Sequence, residues 1–95
     1  MRIVSVHDVP RDAQLIDVRE VDEFAQVHAS GSVNIPMSVF PEHLHELDSS
    51  KDIYVICKAG VRSAQVVSYL AEQGVSAINV DGGMMAWLAA QLPTE

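Results

Sequence analysis

Ile53-Tyr54-Val55-Ile56-Cys57-Lys58-Ala59-Gly60-Val61-Arg62-Ser63 carries an apolar, β-branched run through a short polar loop into a helix. An unbroken apolar run of this length suits a strand covered on both faces. The helix is read over Arg62 to Gln73, where Val66, Val67, Leu70 and Ala71 recur at helical spacing and Gly74 stands at the expected left-handed C-cap. Outward from this stretch, Leu15-Ile16-Asp17-Val18 and Ala77-Ile78-Asn79-Val80 read as strands of the same kind. Ile3-Val4-Ser5-Val6 and Ser32-Val33-Asn34-Ile35 are candidates for two more. Helical segments are expected over Glu20 to Val27, Pro41 to Leu47 and Gly83 to Leu92. Pro10, Pro36, Pro41 and Pro93 fall between elements or in their first or last turns, where proline does least harm. The pattern predicts one α/β domain over residues 1–95, with a mainly parallel five-stranded sheet flanked by helices on both faces. In such sheets ligands bind beyond the carboxyl ends of the strands. Asp17, Cys57 and Asp81 all fall at that edge.

Length and composition bound the function. The 95 residues suffice for one small domain, and 48% apolar with 20% charged residues is globular composition. No apolar run approaches the roughly 18–20 residues that span a bilayer, and the N-terminus lacks the apolar core of a signal peptide, so a soluble, cytoplasmic domain is expected. Thirteen acids against six bases give a net charge of -7, which excludes the basic face of a nucleic-acid binder and disfavours an acidic membrane surface. An anionic substrate would need a local concentration of donors. The single cysteine, Cys57, excludes an internal disulfide, a C-x-x-C couple and a cysteine-rich zinc site. His43 and His45 are two apart, on different faces of a helix, so no metal site is expected there.

The loop after Ile56 meets the need for local donors. Gly60 permits a tight curl, successive N–H groups of such a curl form an anion-binding nest, and the helix dipole adds positive potential. Lys58 and Arg62 place two of the six bases here. A cysteine in this setting is expected to have a lowered pKa and to act as a thiolate nucleophile. The competing reading, a small buried apolar residue ending a strand, leaves the glycine, the two bases and the helix without a purpose.

These residues resemble the rhodanese (thiosulfate sulfurtransferase) domains in their short single-domain form, over nearly the whole chain. The resemblance rests on Leu15-Ile16-Asp17-Val18-Arg19 with Glu23-Phe24, then His28-x-x-Gly31-Ser32-x-Asn34-Ile35-Pro36. It continues in Cys57-x-x-Gly60-x-Arg62-Ser63 and Gly82-Gly83-x-x-Ala86-Trp87. The departures, Val27 before His28 and Ser32 in place of the commoner alanine, lie outside the loop. The resemblance implies that Cys57 takes a sulfane sulfur from a small anionic donor such as thiosulfate, or from another persulfide. It then passes the sulfur to cyanide, a thiol or a protein acceptor. Lys58, Ala59, Gly60, Val61, Arg62 and Ser63 would form the substrate-binding loop, with Lys58 and Arg62 as anion clamps and Asp17 as loop support. No metal or organic cofactor is implied, and the chain is expected to be a monomer or weak dimer. The alternative is a sulfur carrier without turnover, or a regulatory binding module on the same fold. Phosphatases and arsenate reductases use a longer cysteine-to-arginine loop than Lys58-Ala59-Gly60-Val61, which argues against a whole phosphate in this cradle.

The remaining polar residues take structural roles. Asp17 is expected to support the loop or pair with Arg62, and Arg19 to pair with Glu23 at i, i+4 spacing. His28 with Asn34 would fix the turn before Pro36, and Trp87 would pack in the core. One of Met84 and Met85 would line the pocket mouth, Asp81 lies in the turn before the last helix, and His43-Leu44-His45-Glu46 forms a solvated face.

Overall fold

In the computed structural model, which describes residues 1–95, five strands form one sheet: β1 (Arg2–Val4), β2 (Gln14–Asp17), β3 (Val33–Asn34), β4 (Ile53–Ile56) and β5 (Ile78–Val80). Their order is β1-β5-β4-β2-β3, and every pairing is parallel. β4 is central and buried along its whole length, which is why its sequence is apolar without alternation.

The period-two geometry of the strands divides the core into two layers. Ile16 and Val18 of the β2 segment, with Ile53, Val55 and Cys57 along and just beyond β4, face α2 (Val61–Glu72), which buries Val66, Val67 and Leu70 against them. Leu15, Tyr54, Ile56, Ile78 and Val80 face the other way, onto Met84 and Trp87 of α3 (Gly83–Ala89). Each large apolar side chain sequestered in this way contributes about 1.5–3 kcal/mol. A short helix, α1 (Val21–Gln26), follows β2.

Three elements differ from the sequence expectation. β1 stops before Ser5, whose Oγ accepts from His7 N at 3.2 Å and curls Val6–Asp8 into a 3₁₀ turn. The segment expected from Pro41 to Leu47 is a 3₁₀ helix from Met37 to Glu46 with Pro41 inside it. α3 ends at Ala89, because Gln91 turns the chain at φ 56° and Leu92 N–H returns to Trp87 O at 3.2 Å. Gly74, at φ +79°, takes the left-handed position after α2 that its placement predicts.

All strands point the same way, so the segments following β2, β4 and β5 share one edge. That brings Arg19 and α1, the Cys57 loop, and the Gly82-Gly83 turn together.

Candidate active site

Cys57 closes β4 and is 1% exposed. Beyond it the chain turns through Lys58 and Ala59 to Gly60, which at φ +105° caps α2 in a conformation that favours glycine. The turn carries the Gly60 N–H back to Cys57 Sγ at 3.1 Å. Ser63, on the first turn of α2 and fully buried, sets its Oγ 3.2 Å from the same sulfur. Burial pushes the thiol pKa up. The Ser63 hydroxyl and the N–H groups of Ser63, Gly60 and Ala59 outweigh that and bring it below its ordinary value. Hydrogen bonds rather than neighbouring bases therefore supply most of the thiolate stabilisation, which refines the sequence expectation.

The outer wall of the loop is the N-terminus of α3. Met84 N–H donates to Cys57 O at 2.8 Å and Met85 N–H to Lys58 O at 3.0 Å. This approach requires glycine at Gly83, where a Cβ would lie 2.4 Å from Cys57 O and 2.7 Å from Lys58 C. Beneath the loop, Asn79 of β5 donates from Nδ2 to Gly60 O at 3.3 Å.

The ion pairs differ from those expected. Arg62 binds Glu23 through two parallel bonds, Nη1 to Oε1 at 2.7 Å and Nη2 to Oε2 at 2.9 Å. The Arg62 side chain holds the Glu23 carboxyl down at about 2, against an ordinary 4.5, while burial pushes the other way and Glu20 N–H adds to the lowering. Arg19 pairs with Asp17 instead of with Glu23, through Nε to Oδ1 at 3.1 Å and Nη2 to Oδ2 at 2.8 Å. Its remaining donors hold α1 by backbone oxygens, Glu23 O at 3.4 Å and Val27 O at 2.7 Å. Asp17 thus makes no bond to Arg62. It anchors Arg19, which anchors the helix that carries Glu23 to Arg62. Parallel β2 and β4 are adjacent, so the segments after them meet side by side; local i, i+4 spacing cannot reveal this.

Of the six loop residues, Gly60 and Ser63 lie within hydrogen-bond distance of the sulfur, and the side chains of Lys58, Ala59 and Val61 are exposed at the rim, Val61 at 69%. Lys58 makes no ion pair and is the free cation of the loop. Met85 is exposed beside Lys58, whereas Met84 is buried. Asp81 is exposed in its turn. His28 and Asn34 act separately: His28 stacks on Phe24 with Nδ1 at 2.8 Å from Phe24 O, and Asn34 donates to Asp17 O and Arg19 O. Trp87 is core, with Nε1 donating to Pro93 O at 2.9 Å. His43 bonds to Glu46 on the surface. No group of three or more His, Cys, Asp or Glu side chains is placed to hold a metal ion, and no helix is long and apolar enough to cross a membrane. A cavity of about 540 Å³ between the Val6–Ala13 segment and Trp87 includes none of the loop residues.

The sulfur-cradling loop sits within a chain whose overall pattern is shared. The family model described as Rhodanese-like domain matches residues 6–90. The chain is 44% identical over 80 residues to a putative sulfurtransferase, YtwF, of Bacillus subtilis, covering 84% of this chain and 78% of that one. It is 32% identical over 85 residues to the thiosulfate sulfurtransferase GlpE of Glaesserella parasuis, covering 88% and 79%. A rhodanese-related protein of Thermoplasma volcanium superposes with a TM-score of 0.93 at 31% identity, over 100% of this chain and 98% of that one. With the parallel sheet, the cysteine loop and these likenesses in agreement, the chain belongs to the rhodanese-like domain family.

Proposed function

We propose that the chain is a sulfurtransferase that works through a Cys57 persulfide. The observation that carries this reading is the buried Cys57 sulfur receiving the Gly60 N–H and the Ser63 hydroxyl, with its pKa below the ordinary thiol value. The Cys57 thiolate attacks the outer sulfur of thiosulfate. The Sγ–S bond forms, the donor S–S bond breaks, and sulfite leaves with the electron pair. A cyanide ion or thiolate then attacks the outer sulfur of the persulfide, taking it as thiocyanate or as a new persulfide and returning the electron pair to Sγ.

The loop N–H groups stabilise negative charge on the persulfide as they do on the thiolate, an arrangement of the oxyanion-hole kind. Lys58, unpaired at the rim, attracts the anionic donor. Arg62 has two donors engaged by Glu23, and acts on the donor through those that remain. No second thiol exists to collapse the persulfide into an internal disulfide, so the acceptor comes from outside and the cycle is ping-pong.

The test is intact mass after incubation with thiosulfate, with Cys57→Ser as control, followed by cyanide. A gain of one sulfur that cyanide removes as thiocyanate is the expected result. A gain that cyanide does not remove would instead identify a carrier serving a protein acceptor. No gain from thiosulfate or from glutathione persulfide would overturn sulfur transfer altogether.

A further inference from the structure

Asn79 is the one polar residue of β5, between Ile78 and Val80, and it is 5% exposed. Its register partner on β4 is Val55, so its side chain stands on the α2 face, the face on which Cys57 also lies. The amide makes one bond. Nδ2 donates to Gly60 O at 3.3 Å, and Oδ1 has no partner although it is buried. Gly60 O can only accept, so this orientation of the amide is fixed by the bond.

For stability this is a poor exchange. A buried amide oxygen left without a donor costs more than a single neutral hydrogen bond returns. The Gly60 oxygen does not depend on Asn79 for satisfaction, because Ala64 N–H also donates to it at 3.2 Å. Replacing Asn79 by an apolar residue would therefore leave no new orphan and remove an existing one. An interior strand position also favours a β-branched side chain.

What the amide does bear on is the orientation of Gly60. Gly60 sits at φ +105°, its N–H aimed at Cys57 Sγ at 3.1 Å and its carbonyl held along the helix by Ala64 N–H and from below by Asn79. Gly60 has no side chain to anchor it, and its backbone can swing more freely than that of any other residue. We propose that Asn79 is a positioning residue for the Cys57 nucleophile: by pinning the Gly60 carbonyl it keeps the Gly60 N–H on the sulfur, at a cost to the stability of the fold. The charged groups nearest that sulfur in the fold are Arg62 on α2, its partner Glu23 on α1, Asp17 on β2 with its partner Arg19, and Lys58 in the loop; none of them hydrogen-bonds to Asn79. Their fields stay in place when Asn79 is changed, so a change in the thiol reports the pinned N–H.

This rests on Cys57 being the nucleophile of the proposed function, and the test separates the two. Asn79→Val and Asn79→Ala are compared with the wild-type chain in three measurements: the thermal midpoint, the pH profile of Cys57 alkylation by iodoacetamide, and the rate of sulfur loading from thiosulfate. A slack Gly60 N–H weakens a hydrogen bond to an anion, so the alkylation midpoint moves up and the rate at pH 7 falls by about three- to tenfold. Asn79→Val is expected to melt at the wild-type temperature or above it. Sulfur loading falls in parallel with alkylation. An alkylation profile unchanged in both variants overturns the proposal. So does a fall in thermal midpoint with the profile intact, or failure of both variants to fold, since the amide would then serve the fold. A wild-type chain that is alkylated normally yet takes up no sulfur defeats the proposed function and leaves the positioning role standing.

Discussion

Arg62 and Glu23 bind each other across the segments that follow β4 and β2, guanidinium fork to carboxylate, with both bonds at or below 2.9 Å. The pair joins α2 to α1 and so ties the segment after β4 to the segment after β2. A carboxyl held at about 2 when folded and near 4.5 when unfolded binds fewer protons in the native state between those values. Its contribution to stability is full above about pH 4.5 and is lost as the pH falls toward 2. Carboxyl-detected NMR titration of Glu23 is expected to show the low midpoint in the wild-type chain and a return toward 4.5 in Arg62→Met. A wild-type midpoint near the unperturbed value would mean that the fork is not held in solution.

Ser63→Ala removes the hydroxyl that faces Cys57 Sγ at 3.2 Å and leaves no partner stranded, since that sulfur is its only hydrogen-bond partner. The thiol loses the foremost of the contacts that lower its pKa, and burial, which raises it, is then opposed only by backbone N–H groups. Alkylation at pH 7 is expected to slow by about three- to tenfold with little change in thermal midpoint, from the strength of one hydrogen bond to an anion. An unaltered rate would show that the N–H groups suffice alone.

How much of this was legible in the sequence depends on whether a signal is local. β4, α2 and the loop between them can be read from consecutive residues, because an apolar run, a helical period and a well-placed glycine are local facts. Cys57 stands out for the same reason. The ion pairs were not legible: Glu23 and Arg62 are 39 positions apart and meet only because β2 and β4 lie side by side. Arg19 prefers Asp17, two residues away, because the chain leaves the strand between them and folds the guanidinium back onto the carboxylate. Asn79 did give a signal, a polar residue among apolar ones in a strand, but its purpose required knowing what lay above it.

Gly83→Ala is expected to cost about 1–3 kcal/mol, because φ +53° strains any side-chain-bearing residue and the new Cβ would meet backbone that cannot give way. The clash at 2.4 Å is with the carbonyl of Cys57 itself, so the damage reaches the cysteine. Denaturant melts should show the loss, with the alkylation profile broadened or shifted. A variant as stable as wild type would mean that α3 can retreat from the loop at no cost.

Asp17→Ala strips the carboxylate from Arg19, which is 5% exposed and would be left as an uncompensated buried charge. A loss of about 3–5 kcal/mol is expected from breaking a buried pair on one side. Because Arg19 also holds Glu23 O and Val27 O, the Glu23 titration midpoint should rise in the same variant. If stability falls while that midpoint stays at about 2, then α1 is held by other contacts.

The outermost strands are very short, three residues in β1 and two in β3. An exposed strand edge is a template on which a foreign strand can grow, and its danger increases with its length. Edges this brief offer too few free backbone groups to recruit a neighbour. A domain so finished can stand next to copies of itself, or be joined to other domains in one polypeptide, without its sheet being extended into an aggregate.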